Sequence, residues 1–194
     1  RWTDKNGENI LIVSRKGPLK ETEFEAEFLG DERYAELFGE QYIKKADKYI
    51  LLWDIYDFER NCPFDLYLGL LPSSTSITDL DNNGITETTL IYKLTCRSDI
   101  SPSRMKILMH ENSVKMALRG QMAMRDNDEN KKTDFEPNMS KIDTTGLSEI
   151  EQILEMYGRY ENEKDFIGKS MECLNFAKSQ WLRFMEKDEF EQVQ

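Results

Sequence analysis

The sequence has no apolar run long enough to cross a membrane and no excess of basic residues. A membrane-spanning helix needs about 20 apolar residues, whereas the most hydrophobic stretch, Tyr49 to Trp53, has the length of a strand. We therefore expect no transmembrane segment. The chain has 26 Lys and Arg against 37 Asp and Glu, and its formal net charge is −11. Because this charge would repel a phosphate backbone, nucleic acid is not an expected partner.

Histidine is also scarce, which limits the chemistry. His110 is the only histidine, so the sequence excludes a zinc site built from several histidines. A Ser-His-Asp triad would have to use His110 without a nucleophile-elbow motif, and we expect a structural residue at a strand end. Acids such as Asp54 with Asp57 or Glu59 are the residue type of glycosidase catalysis, but chance pairs are expected in so acidic a chain. We find no catalytic signature.

Cysteine is the third shortage, with three residues in the chain, so many disulfides are excluded. Cys62 and Cys96 both fall at the ends of predicted strands, where antiparallel neighbours could bring them together. The residues alone leave two interpretations open, a disulfide or two reduced apolar side chains. Cys173 lies in a helical pattern and is expected in the core.

Turn-forming residues separate short runs rich in β-branched and aromatic side chains, a pattern that predicts about five to eight antiparallel strands. Asn6-Gly7 predicts a hairpin turn near the start. The run from Tyr49 to Phe58 is apolar on both faces, so we expect a central strand buried on both sides. With 194 residues, of which 39% are hydrophobic, we expect residues 1–194 to form a single β-rich domain.

The last third of the chain lacks the strand pattern and predicts a loop and helices. A polar, turn-rich stretch at about 125–146 predicts a mobile loop, and Ser148 is expected to cap a short helix that reaches Tyr157. At about 169–187 apolar residues recur at spacings of three and four, which predicts a helix that packs on the sheet or, alternatively, binds a partner. The stripe consists of Met171, Leu174, Ala177, Trp181, Phe184 and Met185. The predicted fold class is α+β, an antiparallel β-sheet meander with a C-terminal helix packed on it.

The most informative motif is the run Asp79-Leu80-Asp81-Asn82-Asn83-Gly84-Ile85-Thr86-Glu87, which places oxygen ligands at alternate positions around a glycine. Calcium takes about six to eight oxygens, which flexible loops supply from alternate side chains, a backbone carbonyl and a closing carboxylate. An EF-hand is excluded because its twelfth position is Leu90. The alternative is an Asn-Gly turn with incidental acids. We predict calcium bound by Asp79, Asp81, Asn83, the carbonyl of Ile85, and Glu87.

Four segments are distinctive together: WDIYDF, CPFD, the DLDNNG loop and TCRSDISP. With the helix around Trp181, they resemble a family of small exported proteins from Gram-negative bacteria named surface polysaccharide biosynthesis proteins. The likeness covers roughly the middle half of the chain. In that family the loop is often DLDNDG, whereas Asn83 here replaces the third acid, which implies weaker calcium binding.

The resemblance implies an exported protein of the periplasm or outer-membrane surface, where an oxidising environment favours a Cys62–Cys96 disulfide. Because the sequence starts at Arg1 and not at methionine, we expect a form whose signal peptide or anchor is absent from the given chain.

The expected function is a non-enzymatic role in surface polysaccharide assembly or glycan binding, with surface glycan or envelope proteins as partners. The alternatives are a hydrolase or transferase acting on that glycan and a purely structural envelope module. Trp2, Trp53 and Tyr56 are candidates for stacking on sugars, although Trp53 lies in an apolar strand and is expected in the core. Exposed aromatics on a flat sheet would favour the binder, whereas acidic pairs in an open cleft would favour the enzyme.

Overall fold

A computed structural model describes residues 1–20, 32–124 and 135–188. These residues form nine strands in two antiparallel sheets, together with two α-helices and short 3₁₀ turns. The strands are β1 (Trp2–Asp4), β2 (Gly7–Lys20), β3 (Arg33–Lys45), β4 (Lys48–Cys62), β5 (Asp65–Leu70), β6 (Ser76–Thr78), β7 (Glu87–Arg97), β8 (Arg104–Glu111) and β9 (Val114–Gln121), and the helices are α1 (Glu149–Glu155) and α2 (Met171–Phe184).

The first sheet has the order β1-β2-β3-β4. A tight turn joins β1 to β2, where the Asp4 carboxylate accepts a hydrogen bond from the amide of Asn6 and Gly7 has φ 127°. Few residues other than glycine adopt this backbone angle. The hairpin predicted from Asn6-Gly7 is therefore confirmed.

The second sheet has the order β5-β7-β8-β9, and β6 pairs with the first residues of β7. The chain changes sheets after Cys62, because Asn61 takes φ 52° and Pro63 has no amide hydrogen with which to continue the ladder. We expected one meandering sheet, whereas the described residues form two. The coarser prediction, a mostly antiparallel β protein with few helices, is confirmed.

The two sheets and the helices form three layers. Between the sheets, Leu37, Trp53 and Ile55 of the first sheet belong to one apolar cluster with Leu66, Leu90 and Leu108 of the second. The opposite face of the second sheet forms another cluster with the helical layer, whose members include Ile91, Met105, Ile107, Met116, Leu118, Tyr160, Cys173, Ala177, Trp181 and Phe184. Because β7 is covered on both faces, nearly all of its side chains are buried.

The prediction for Tyr49 to Phe58 was wrong in one respect. The run is a strand, but β4 lies at the end of the described strand order, and its outward side chains are exposed. Tyr56 and Phe58 are 50% and 49% exposed. Apolar residues on both faces suggested a central strand, and β7 holds that position instead.

The C-terminal helix is confirmed as α2, and Ala177, Trp181 and Phe184 of the predicted stripe pack against the second sheet. Met171 of that stripe is 62% exposed, because it lies in the first turn of the helix, outside the packed cluster. Trp181 is completely buried, and its indole Nε1 donates a hydrogen bond to the carbonyl of Gly158 over 2.7 Å. Ser148 caps α1 through a reciprocal capping box with Glu151. Cys173 is reduced and buried, as expected.

Part of the predicted mobile loop, residues 125–134, lies outside the described residues. The rest of it includes a 3₁₀ turn at Met139–Lys141, which the side chain of Asn138 caps. Its mobility stays a prediction. In the portions of the chain that the structure describes, no helix has the length and apolar character needed to span a bilayer.

Candidate functional site

The loop from Asp79 to Ile85 connects β6 to β7, and its polar side chains fold back on its own backbone. Oδ2 of Asp79 accepts a hydrogen bond from the amide of Gly84 over 3.0 Å, and Oδ1 of Asp81 accepts one from the amide of Asn83 over 3.1 Å. Oδ1 of Asn83 accepts one from the amide of Ile85 over 2.7 Å. Gly84 has φ 86°, which permits the reversal. The alternate positions noted in the sequence thus share one tight loop.

Glu87, the predicted closing ligand, is the first residue of β7 and is fully buried. Its Oε2 accepts hydrogen bonds from the Thr78 hydroxyl over 3.1 Å and from the Leu80 amide over 3.0 Å. Burial raises the pKa of Glu87, and the negative charge of Asp81 adds to the increase. Within the described ranges, no lysine or arginine forms an ion pair with this carboxylate.

The residues that the structure describes contain no group of three or more His, Cys, Asp or Glu side chains placed to hold a metal. The structure brings Asp79, Asp81, Asn83 and Glu87 into one region, but their oxygens accept hydrogen bonds from protein groups. Calcium binding by these side chains and the Ile85 carbonyl stays a prediction.

Contacts from distant turns hold this loop, and no pattern in the sequence predicted them. In the β1–β2 turn, the Lys5 amide donates to the Gly84 carbonyl over 2.8 Å, and Oδ2 of Asp4 accepts from both the amide and the hydroxyl of Thr86. At the end of β8, Oε1 of Glu111 accepts from the side-chain amide of Asn83 over 2.6 Å. No sequence pattern placed the turn after Asp4 beside residue 84.

The acids considered for catalysis do not converge. Asp54 is exposed on the outer face of the first sheet, whereas Asp57 points to the inner face because side chains alternate along β4. Oδ2 of Asp57 accepts a hydrogen bond from the Tyr92 hydroxyl over 2.7 Å and pairs with Lys106. Glu59 pairs with Arg104.

His110 and Trp53 lie in the interior between the sheets. Their rings stack with centroids 4.1 Å apart and an interplanar angle of 11°. Trp53 is therefore a core residue, as expected, and is not available to stack on a sugar. Burial lowers the pKa of His110 to about 4, and Nδ1 has no hydrogen-bond partner among the described residues.

Cys62 and Cys96 form a disulfide with their Cα atoms 5.8 Å apart. Cys62 ends β4 in the first sheet and Cys96 lies in β7 in the second, so the bond links the two sheets. Of the two interpretations open from the residues, the disulfide is the one realised.

The outer face of the first sheet carries an aromatic surface, of which only Tyr56 was a candidate from the sequence. Phe38 and Tyr56 are cross-strand partners with ring centroids 5.1 Å apart, and Phe58 lies 5.5 Å from Tyr56. Tyr34 and Arg60 continue the surface, with the guanidinium carbon 4.7 Å from the Tyr34 ring centroid. We call these five residues the outer aromatic surface.

Charged groups are set into the outer aromatic surface. The Glu36 carboxylate accepts hydrogen bonds from the Tyr56 hydroxyl over 2.8 Å and from Arg60 over 2.6 Å, and Lys16 lies 3.5 Å away. The Tyr56 hydrogen bond and the two cations lower the pKa of Glu36. Flat apolar rings therefore alternate with fixed hydrogen-bonding groups on one exposed sheet face.

Comparison with known proteins identifies no relative: no family model matches the chain, and no curated protein or solved structure is significantly similar to it.

Proposed function

We propose that this protein is an exported, calcium-stabilised, non-enzymatic protein that binds glycan in the assembly of a bacterial surface polysaccharide. The observation that carries the proposal is the outer aromatic surface. It lies on an open sheet face, and two of its rings, Tyr56 and Phe58, are about half exposed. An exposed apolar patch on a soluble domain commonly marks a binding surface.

A sugar chain suits this surface chemically. Pyranose rings present C–H groups on one side, which pack against aromatic faces, and hydroxyls at their edges, which need hydrogen-bond partners. Aromatic side chains supply large, rigid contact area with a favourable face for positively polarised groups. Glu36, Lys16 and Arg60 provide acceptors and donors within the same surface. A partner protein would be the expected occupant of a more uniformly apolar face.

Export is part of the proposal. The Cys62–Cys96 disulfide supports it, because disulfides persist in oxidising compartments such as the periplasm and are rare in the cytosol. The resemblance of the CPFD and TCRSDISP segments to exported surface polysaccharide biosynthesis proteins points the same way.

Calcium is the proposed ion of the loop from Asp79 to Glu87. Two features support it: the alternate oxygen-bearing residues around Gly84, and a buried Glu87 carboxylate whose pKa is raised by burial and further by the negative charge of Asp81. A divalent cation would compensate both charges, which would otherwise repel each other.

Affinity electrophoresis through gels that contain purified capsular or O-chain polysaccharides tests the glycan proposal. We expect the wild-type protein to be retarded in at least one of these gels and the Tyr56→Ala/Phe58→Ala variant to be retarded much less. Phe64→Ala is the matched control, because Phe64 is a 43% exposed aromatic residue outside the outer aromatic surface. Equal retardation of all three proteins would contradict the proposed surface, and a protein retarded in none of the gels would contradict glycan binding.

A further inference from the structure

A cleft lies between the two sheets where an edge of the first faces an edge of the second. Beyond Asn9, β2 pairs only with β3 among the described strands, and β5 pairs only with β7. The cleft has a volume of about 420 Å³ and is lined by Val13, Ser14, Arg15, Leu37, Tyr67 and Leu70. It is separate from the outer aromatic surface, because Arg15 points to the inner face of the sheet and the next residue, Lys16, to the outer face.

Arg15 gives the cleft its charge. Its guanidinium carbon lies 5.4 Å from the centroid of the Tyr67 ring. Within the ranges described, no carboxylate forms an ion pair with Arg15, although acids outnumber basic residues in the chain. Nζ of Lys93, in β7, also lies 5.1 Å from the centroid of the Tyr67 ring, but this ammonium group is paired with Asp188. Among the described residues, Arg15 is thus a cation that lines the cavity and contacts an aromatic ring without an acidic partner.

The space beside Arg15 depends on a glycine. A side chain at Gly69 would begin 2.8 Å from the Tyr67 hydroxyl and 3.3 Å from Nη1 of Arg15. The Tyr67 hydroxyl donates instead to the Leu70 carbonyl over 3.3 Å, which fixes the ring. The lining is therefore divided into an apolar floor of Val13, Leu37 and Leu70, and a rim with one guanidinium.

We propose that this cleft binds a uronic acid residue of an acidic polysaccharide. The sugar carboxylate pairs with Arg15, since guanidinium groups recognise carboxylates through two parallel hydrogen bonds. The C–H face of the sugar packs on the apolar floor, and its hydroxyls reach the backbone along the edges of β2 and β5. This inference rests on the proposed glycan-binding function and adds the charge class of the glycan.

Titration of the isotopically labelled protein with trigalacturonic acid, followed by NMR, tests the cleft. We expect chemical-shift changes at Ser14, Arg15 and Leu70, and about tenfold weaker binding by Arg15→Gln, as expected for the loss of a charge-assisted pair. Arg15→Lys keeps the charge without the planar fork and should recover only part of the affinity. The neutral trisaccharide maltotriose should leave the cleft signals unchanged.

The outcomes separate this inference from the broader proposal. Shifts confined to the outer aromatic surface, with Arg15→Gln binding as tightly as the wild type, would overturn the cleft assignment and leave glycan binding intact. If the chemical-shift changes are confined to the cleft and Arg15→Gln abolishes them, the cleft is the binding site. That result would count against glycan binding by the outer aromatic surface. If trigalacturonic acid shifts neither set of signals, the uronic acid assignment is wrong. Arg159→Gln controls for a general effect of lost positive charge, because Arg159 lies in the helical layer, where it pairs with Glu155.

Discussion

Trp53 and His110 stack nearly parallel across the interface between the two sheets, with ring centroids 4.1 Å apart. The indole nitrogen of Trp53 donates to the side-chain carbonyl of Gln41 over 3.0 Å, and the same oxygen accepts from the Thr88 hydroxyl over 2.7 Å. The stack therefore adjoins a set of hydrogen bonds that links the two sheets. The His110 imidazole is neutral in the folded protein, because burial opposes a positive charge there.

The first prediction concerns acid sensitivity at His110. Burial lowers the pKa of His110 to about 4, against 6.5 for the ordinary residue. In that interval the unfolded chain binds a proton that the folded protein does not, so stability present above pH 6.5 is lost as the pH falls toward 4. The difference corresponds to about 3 kcal/mol of unfolding free energy.

Urea denaturation of the wild type and of His110→Phe between pH 4 and pH 7 measures this effect. The variant keeps an aromatic ring against Trp53 but cannot take up the proton, so its pH dependence should be flatter than that of the wild type. Parallel curves for the two proteins would show that folding does not lower the pKa of His110.

The second prediction concerns calcium. Addition of millimolar calcium to chelator-treated protein should raise the melting temperature, since an ion that binds only the folded state stabilises it by about 2.7 kcal/mol at a hundred times its dissociation constant. The Asp79→Asn/Asp81→Asn variant should lose most of this increase, as measured by differential scanning calorimetry.

Asp99→Asn is the matched control for the calcium experiment. Asp99 accepts a hydrogen bond from the amide two residues ahead, that of Ser101, as Asp81 does from Asn83, but it lies in a different loop. This variant should respond to calcium like the wild type. A wild-type melting curve that calcium leaves unchanged would exclude the proposed ion.

Local patterns predicted the elements whose determinants are close in sequence. The spacing of Ala177, Trp181 and Phe184 defined the buried stripe of α2, and Ser148 marked the start of α1 through its capping box. The alternate oxygens around Gly84 identified a tight loop. In each case the physical cause acts within a few residues, so periodicity or spacing reveals it.

Features set by distant contacts were not predictable in the same way. Apolar residues on both faces of β4 indicated burial, but whether another layer covers Tyr56 and Phe58 depends on the order of strands. The support of Gly84 by Lys5, across 79 positions of the chain, follows from the meeting of two turns, and no local signal marks it. The pairing of Cys62 with Cys96 also remained open until the two sheets were placed.

The third prediction concerns the disulfide. Cys62 and Cys96 are 34 residues apart, and in the chain-entropy model closing a loop of this length stabilises the folded state by about 4 kcal/mol. Reduction of the wild type should therefore lower its urea midpoint. The Cys62→Ala/Cys96→Ala variant should start from the lower midpoint and not respond to reductant. If reductant lowers the urea midpoint of the double variant as well, a group other than this disulfide causes the change. Identical midpoints for the oxidised and reduced wild type would contradict the prediction.

The fourth prediction concerns Asp188, which anchors the end of the described chain to the second sheet. Its carboxylate pairs with Arg97 over 2.7 Å and with Lys93 over 3.3 Å, and it accepts hydrogen bonds from the amide and hydroxyl of Ser103. Burial raises the pKa of Asp188, but these partners outweigh burial and hold it below the usual value. The network joins β7, the residue that precedes β8 and the segment after α2.

Asp188→Asn should destabilise the protein by about 3 to 5 kcal/mol, because it removes the carboxylate that two buried cations share. The wild-type contribution is present above the ordinary aspartate pKa and is lost as the pH falls through the lower folded value, so the difference between the proteins should shrink in strong acid. Asp165→Asn is the control, since Asp165 pairs with Arg119 at a half-exposed position where an ion pair contributes about 0 to 1 kcal/mol. If both variants unfold at the same urea concentration, the buried network does not hold the segment after α2 to the sheet.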